Sequence, residues 1–194
     1  MRFRKDGHPY GCHRVLEPEG ALPQAAKRLD ATAPAWDNEL VIDVETLNID
    51  SASFHQIQDD VGRSKQAIAD RVMAIVGRNG KMENPVTGSG GMLLGRIKAL
   101  GPKYENTIEA EVGDRIATLV SLTLTPLSLE RVDAVHIEGD QLDVEGTAYL
   151  WPSSPIVVMP DDLPERLALA ALDVCGAPAQ TRRLVQDVNS VLVM

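Results

Sequence analysis

Apolar and polar positions alternate most regularly at Leu40-Val41-Ile42-Asp43-Val44-Glu45, where Leu40, Ile42 and Val44 share one face. That period predicts a half-buried strand over Glu39–Ile49. Over 55–78 the spacing turns helical: Val61, Ile68, Val72, Ile75 and Val76 gather on one side, with Asp, Lys and Arg opposite. Gly77 and Gly80 end this helix. Thr87-Gly88-Ser89-Gly90-Gly91 reads as a loop, followed by a strand from Met92 to Leu100 and a turn at Gly101-Pro102. Val112-Gly113-Asp114-Arg115 leads into a strand from Ile116 to Ser121. Gly139-Asp140 reads as a two-residue hairpin turn between His136-Ile137-Glu138 and Gln141–Val144. Further strands pass through Ala148–Leu150 and Ile156–Met159. Pro164-Glu165 opens a helix through Leu167–Leu172, and a second helical stretch covers about 178–186.

Two ends of the chain frame this series. Residues 1–38, rich in Pro, Gly and Ala, read as an irregular N-terminal arm with turns near Gly20 and Pro34. Ser190-Val191-Leu192-Val193-Met194 reads as a short apolar strand of the kind that starts a parallel sheet buried on both faces. The expected organisation is therefore an arm (1–38), a strand-rich domain (39–160), and connecting helices that lead into the first strand of a further domain (161–194). The expected class is mainly β with helices (α+β): a partly open β barrel with one inserted helix.

Composition narrows the function. A net charge of −9 disfavours nucleic acid and anionic membranes as partners. No apolar segment approaches the length of a membrane span, and the basic start is not followed by a leader-like stretch. The two cysteines, Cys12 and Cys175, lie far apart, which fits a reducing cytoplasm better than a disulfide framework or a zinc site.

Three clusters offer chemistry. Gly88-Ser89-Gly90-Gly91 precedes a strand rather than a helix, so it is not a phosphate loop. It reads either as a close crossing of two segments or as a cleft wall with room for substrate. Asn48-Ile49-Asp50-Ser51-Ala52-Ser53 stands where a strand gives way to a loop and offers an amide, a carboxylate and hydroxyls. Asp50 could hold an ammonium or act as a base, and Ser51 or Ser53 could bind a substrate oxygen. The same serines could simply cap the following helix. Cys12-His13 reads as structural, since adjacent side chains diverge. Cys175 reads as a buried small residue, and His8, His55 and His136 are scattered, with no metal spacing.

Taken in order, these segments resemble the medium-chain dehydrogenase/reductase superfamily. Glu39–Ser53 resembles its second strand and substrate-side loop; Pro85–Gly101 with Val112–Ile116 resembles its glycine-rich barrel signature; Leu167–Val185 and Val191–Val193 resemble the helix and first strand of its nucleotide domain. The resemblance implies a GroES-like substrate domain followed by a Rossmann domain that begins where this chain ends. At the positions that match the zinc ligands of metal-dependent members stand Asp50, Ser89, Gly90 and, roughly, Cys175. A catalytic zinc needs three protein ligands, so the resemblance implies a site without metal.

A closer resemblance, carried by Gly11–Pro18, Leu22-Pro23-Gln24, Leu47–Phe54, Asn84–Leu93, Ala170–Asp173 and Gly176–Gln180, is to a family of deaminating dehydrogenases that act on a diamino acid. It implies NAD-dependent oxidation of the C3 amine of 3,5-diaminohexanoate to an imine, which hydrolyses to 5-amino-3-oxohexanoate in lysine fermentation. In that frame Asp50, Ser51 and His13 are the expected catalytic residues, with His13 an alternative base should the arm fold over the cleft. Asn48, Ser53, Thr87 and Ser89 are the expected substrate contacts, and Ser51, Cys175 and Ala179 the expected cofactor contacts. A homodimer or higher oligomer is expected. The competing expectations are a GroES-like binding or assembly module without catalysis, and a zinc-independent quinone-reductase-like oxidoreductase.

Overall fold

The alternation at Leu40 does form a strand, and the strand is the spine of the molecule. In the computed structural model, which describes residues 2–105, 108–174, 176–186 and 190, β3 runs Leu40–Asn48. It pairs antiparallel on one side with β4 (Met92–Leu100) and on the other with β7 (Gln141–Leu150). The chain divides into two units, Met1–Val158 and Met159–Met194. In the first unit a six-stranded sheet has the order β6-β7-β3-β4-β5-β8, with β5 (Arg115–Thr118), β6 (Leu127–His136) and β8 (Ile156–Val158) completing it. The pairings within it are antiparallel and its edge strands, β6 and β8, do not pair, so the barrel stays open. The α+β class expected from the sequence is the class observed.

One irregularity in β3 matters for everything that follows. Leu40, Ile42 and Val44 point into the core, and so do Leu47 and Ile49, an odd step after Val44. The register shifts between Val44 and Thr46 against both neighbours. This bulge reverses the alternation and keeps the second half of the strand amphipathic. Thr46 and Asn48 therefore join Asp43 and Glu45 on the face away from the core. That face carries cross-strand ion pairs: Asp43 with Lys98, and Glu45 with both Arg96 and Arg115.

The core face is covered by helices. The sequence predicts one helix over 55–78; the structure has two, α1 (Ser51–Val61) and α2 (Lys65–Asn79). Gly62, with φ +81°, ends the first, and the Ser64 side chain caps the second by accepting from the Ala67 N–H at 3.4 Å. The helical period survives this break, which is why spacing alone joins the two. Phe54, Ile57, Ile68, Val72 and Val76 from these helices are buried with Leu47, Leu93, Leu142 and Leu150 from the sheet.

Other corrections are local. The 1–38 arm is not irregular throughout: β1 (Val15–Glu17) and β2 (Arg28–Leu29) form a small antiparallel ladder. The Gly139-Asp140 hairpin turn is wider than expected, because β6 ends at His136 and Ile137–Gly139 form a 3-10 turn before Asp140 takes the left-handed conformation at φ +53°. In the second unit, α3 (Glu165–Val174) and α4 (Gly176–Val185) match the predicted helices. The expected terminal strand at Val191–Val193 and the expected cofactor contact Cys175 lie outside the described residues. No helix among the described residues is long and apolar enough to cross a membrane.

Candidate functional site

Leaving β3 at Asn48, the chain buries Ile49 and turns directly into α1. Asp50, rather than Ser51 or Ser53, is the helix cap: its Oδ1 accepts from the Ser53 N–H at 2.9 Å. Aspartate suits this position, because the carboxylate satisfies a free N–H and meets the positive end of the helix dipole. Its other oxygen, Oδ2, is shut off from solvent and has no hydrogen-bond partner among the described residues. A buried acceptor left in that state costs about 1–3 kcal/mol, so the corner holds an unmet demand for a donor.

The glycine-rich loop lies across this corner. An added Cβ on Gly91, whose φ is +93°, would stand 2.1 Å from the Asn48 carbonyl oxygen and 2.8 Å from the Asp50 nitrogen. A Cβ on Gly90 would stand 2.3 Å from the Met82 carbonyl oxygen. The close crossing read from the sequence is thus what the backbone shows, and only glycine allows it. Asn84, fully buried, ties the loop down. Its amide donates to the Ser53 carbonyl at 3.1 Å and to Gln56 Oε1 at 2.8 Å, while its Oδ1 accepts from the N–H groups of Val86 and Thr87. Ser53 is buried and its hydroxyl shares a 2.6 Å hydrogen bond with Thr87, so these two fasten the loop to α1. The Ser89 hydroxyl has no partner among the described residues, although its carbonyl accepts from the Asn84 N–H at 2.8 Å.

On the other side of Asp50, the β6–β7 connection closes the corner. Ser51 Oγ donates to Asp140 Oδ2 at 2.5 Å, and the Ile49 N–H donates to the Asp140 carbonyl at 3.0 Å. Asn48, Gln141 and His136 stand directly opposite one another across β3, β7 and β6, and such register partners share a face. Gln141 Nε2 donates to Asn48 Oδ1 at 3.0 Å. His136 Nε2 lies 2.6 Å from Asp143 Oδ2, and Asp143 Oδ1 accepts from Thr46 Oγ1 at 3.4 Å. Sequence reading missed Asn84, Asp140, Gln141, His136 and Asp143. The alternation of β7 places Gln141 and Asp143 on one face, but only the register brings them to Asn48 and His136.

His13 belongs to a different place. Its Nδ1 accepts from the His8 N–H at 2.7 Å, so Nε2 carries the proton and donates to Glu39 Oε1 at 2.7 Å. Glu39 also receives a two-pronged contact from Arg14, Nε to Oε1 at 2.8 Å and Nη2 to Oε2 at 2.6 Å, and the Trp36 N–H at 2.8 Å. Burial alone would push the Glu39 carboxyl up; the hydrogen bonds from Arg14, His13 and Trp36 and the Arg14 charge together outweigh it and hold it below its ordinary 4.5. Glu39 precedes β3 and Asn48 ends it, nine strand residues later, a separation of about 30 Å along a strand. The structure therefore gathers Asn48, Asp50, Ser51, Ser53, Thr87 and Ser89 at one corner and does not bring His13 to it. Ala179 is exposed on α4 in the second unit. Two cavities in the first unit, of about 280 and 350 Å3, are lined by none of the corner residues.

The corner does not fit the diphosphate of a dinucleotide. Gly88–Gly91 runs into β4, not a helix, and the α1 N-terminus is already filled by the Asp50 carboxylate, which opposes an anion. It does fit a cation: a shielded carboxylate oxygen without a partner, beside Asp140.

Residues 13–160 match the family model for the L-erythro-3,5-diaminohexanoate dehydrogenase N-terminal domain. A protein from Acetoanaerobium sticklandii named L-erythro-3,5-diaminohexanoate dehydrogenase is 49% identical over 188 residues, 97% of this chain and 55% of that protein. A protein of the same name from Fusobacterium nucleatum subsp. nucleatum is 47% identical over 190 residues, 98% of this chain and again 55% of the relative. The chain thus spans about half the length of these relatives.

Proposed function

The chain belongs to the L-erythro-3,5-diaminohexanoate dehydrogenase family, and from that membership we propose that it is the substrate-side part of an enzyme that oxidises 3,5-diaminohexanoate at C3. The product imine hydrolyses to 5-amino-3-oxohexanoate and ammonia, a step of lysine fermentation. The oxidant is a nicotinamide cofactor, NAD, and we assign its binding to the part of the relatives' length that this chain does not span.

The observation that carries this reading is the unpartnered Asp50 Oδ2. The substrate has two ammonium groups and one carboxylate. Asp50 takes the non-reacting ammonium at C5, replacing an unmet acceptor with a charge-assisted hydrogen bond. The free Ser89 hydroxyl, held in place by Asn84, Thr87 and the two glycines, is available to the carboxylate. Ser51, bonded to Asp140, keeps the α1 start and the β6–β7 connection at a fixed distance. Binding of the remote ammonium positions C3, and that use of binding energy raises kcat as well as lowering KM.

The test uses the protein at the full length of its relatives. Incubated with 3,5-diaminohexanoate and NAD, it is expected to form NADH and ammonia in equal amounts. An enzyme that oxidises simple alcohols and leaves 3,5-diaminohexanoate untouched contradicts the assignment.

A further inference from the structure

His136 is the imidazole the proposed reaction leaves unexplained. It ends β6, on the same face as Gln141 and Asn48, one strand pairing from Gln141 and two from Asn48. Its side chain is 41% exposed. Nε2 meets a carboxylate oxygen of Asp143 at 2.6 Å. A carboxylate accepts only, so Nε2 carries the proton, and Nδ1 is left with a lone pair that no described residue engages. This is the arrangement of an oriented base: one nitrogen fixed by a carboxylate, the other unengaged. His13 shows the contrast, since both its nitrogens are used.

We infer that His136 accepts the proton from the reacting C3 ammonium of the substrate; the inference rests on the substrate reading above. An ammonium has no nitrogen lone pair, so the amine must be neutral before C3 can be oxidised. In the step assigned here the N–H bond breaks, its electron pair stays on the substrate nitrogen, and the proton forms a bond to Nδ1. Asp143 faces the resulting imidazolium and stabilises it. The charged residues that follow or flank His136 in the hairpin are mostly acidic: Glu138 and Asp140 in the connection, Asp133 on its own strand and, opposite Arg131, Glu145 on β7. Arg131, on the same strand, is paired to Asp133 and Glu145. An acidic hairpin favours an incoming dication. The division of labour is then Asp50 for the C5 ammonium and His136 for the C3 ammonium.

The experiment measures kcat/KM for 3,5-diaminohexanoate against pH in the full-length protein, unsubstituted and as His136→Gln, His136→Ala and Asp143→Asn, with thermal unfolding of each as a check on folding. His136→Gln is expected to lower kcat/KM about 10²- to 10⁴-fold near neutral pH. The loss should shrink as pH rises and the substrate amine loses its proton in solution, and added imidazole should restore part of the His136→Ala activity. Asp143→Asn should give a smaller loss and a displaced acidic limb of the profile. A His136→Gln enzyme that folds and keeps the unsubstituted pH profile overturns the inference while leaving the substrate reading in place. An unsubstituted enzyme with no turnover overturns both.

Discussion

The two ends of β3 are built from similar side chains and do opposite things with them. At the Glu39 end, carboxylate, guanidinium and imidazole are buried together: Arg14 and Glu39 are fully shielded, and the Arg14 guanidinium lies 4.0 Å from the Tyr149 ring centre. Its remaining donors reach the carbonyls of Asp30 and Thr32. Within this knot each charged group has its partner, and the arm is fastened to the sheet. At the Asn48 end, Asp50 keeps an unpartnered oxygen, His136 keeps an unengaged nitrogen and Ser89 keeps a free hydroxyl. Paired charges hold a structure in one arrangement, and the buried atoms beside Glu39 that lack a partner among the described residues, Trp36 Nε1 and Asn38 Oδ1, are uncharged; an unpartnered carboxylate oxygen is open to a cationic ligand. The difference locates the site more firmly than the presence of a histidine does.

That contrast breaks first, and most severely, at the end where the charges are paired. Glu39→Ala strands Arg14 in the interior and should cost about 3–5 kcal/mol, read as a lowered denaturant midpoint. Acid should act on the same knot. The Glu39 carboxyl, and those of Asp30 and Asp37, are held below their ordinary values when folded. A lowered carboxyl contributes its stability in full above the unfolded value, and loses it as pH falls through the folded one. Stability should therefore be level above about pH 5 and decline below about pH 4, with Glu39→Gln flattening that decline in an acid titration of the unfolding free energy.

Gly91→Ala tests the corner's backbone. A side chain at φ +93° and 2.1 Å from the Asn48 carbonyl should cost about 3 kcal/mol in thermal unfolding, since both backbone strain and overpacking act. Asp50→Ala removes the α1 cap and should cost about 1 kcal/mol, whereas Asp50→Asn, an equally good cap, should cost little. Ser51→Ala loses an exposed hydrogen bond to Asp140 and should shift stability by no more than about 0.5 kcal/mol. If Ser51→Ala proved as costly as Glu39→Ala, the two ends would not differ as described.

Much of this was legible in the chain. The strand at Leu40 and the strand after Gly91 announce themselves by alternation and by the glycines before Met92. The Asn48–Ser53 segment stands out because it crowds polar groups where an apolar period stops. β6 showed only at its end, where His136 enters the hairpin. It is an edge strand whose register slips twice, between Leu129 and Arg131 and between Val132 and Ala134, and each bulge erases the two-residue period. The His136–Asp143 pair was hidden for a related reason: residues seven apart meet only if a hairpin joins them in one particular register. The capping role went to Asp50, since local spacing does not distinguish it from the two serines that follow.

The central claim is that Asp50 receives the ammonium at C5, and a cycle of two proteins and two substrates tests it directly. The full-length enzyme and its Asp50→Asn form are assayed on 3,5-diaminohexanoate and on 3-aminohexanoate, which lacks that ammonium. A buried charge pair is worth several kcal/mol to the partner that remains, so Asp50→Asn should lower kcat/KM about 100-fold or more on the diamine and leave the monoamine nearly unchanged. Equal losses on both substrates, or none on either, would contradict the account.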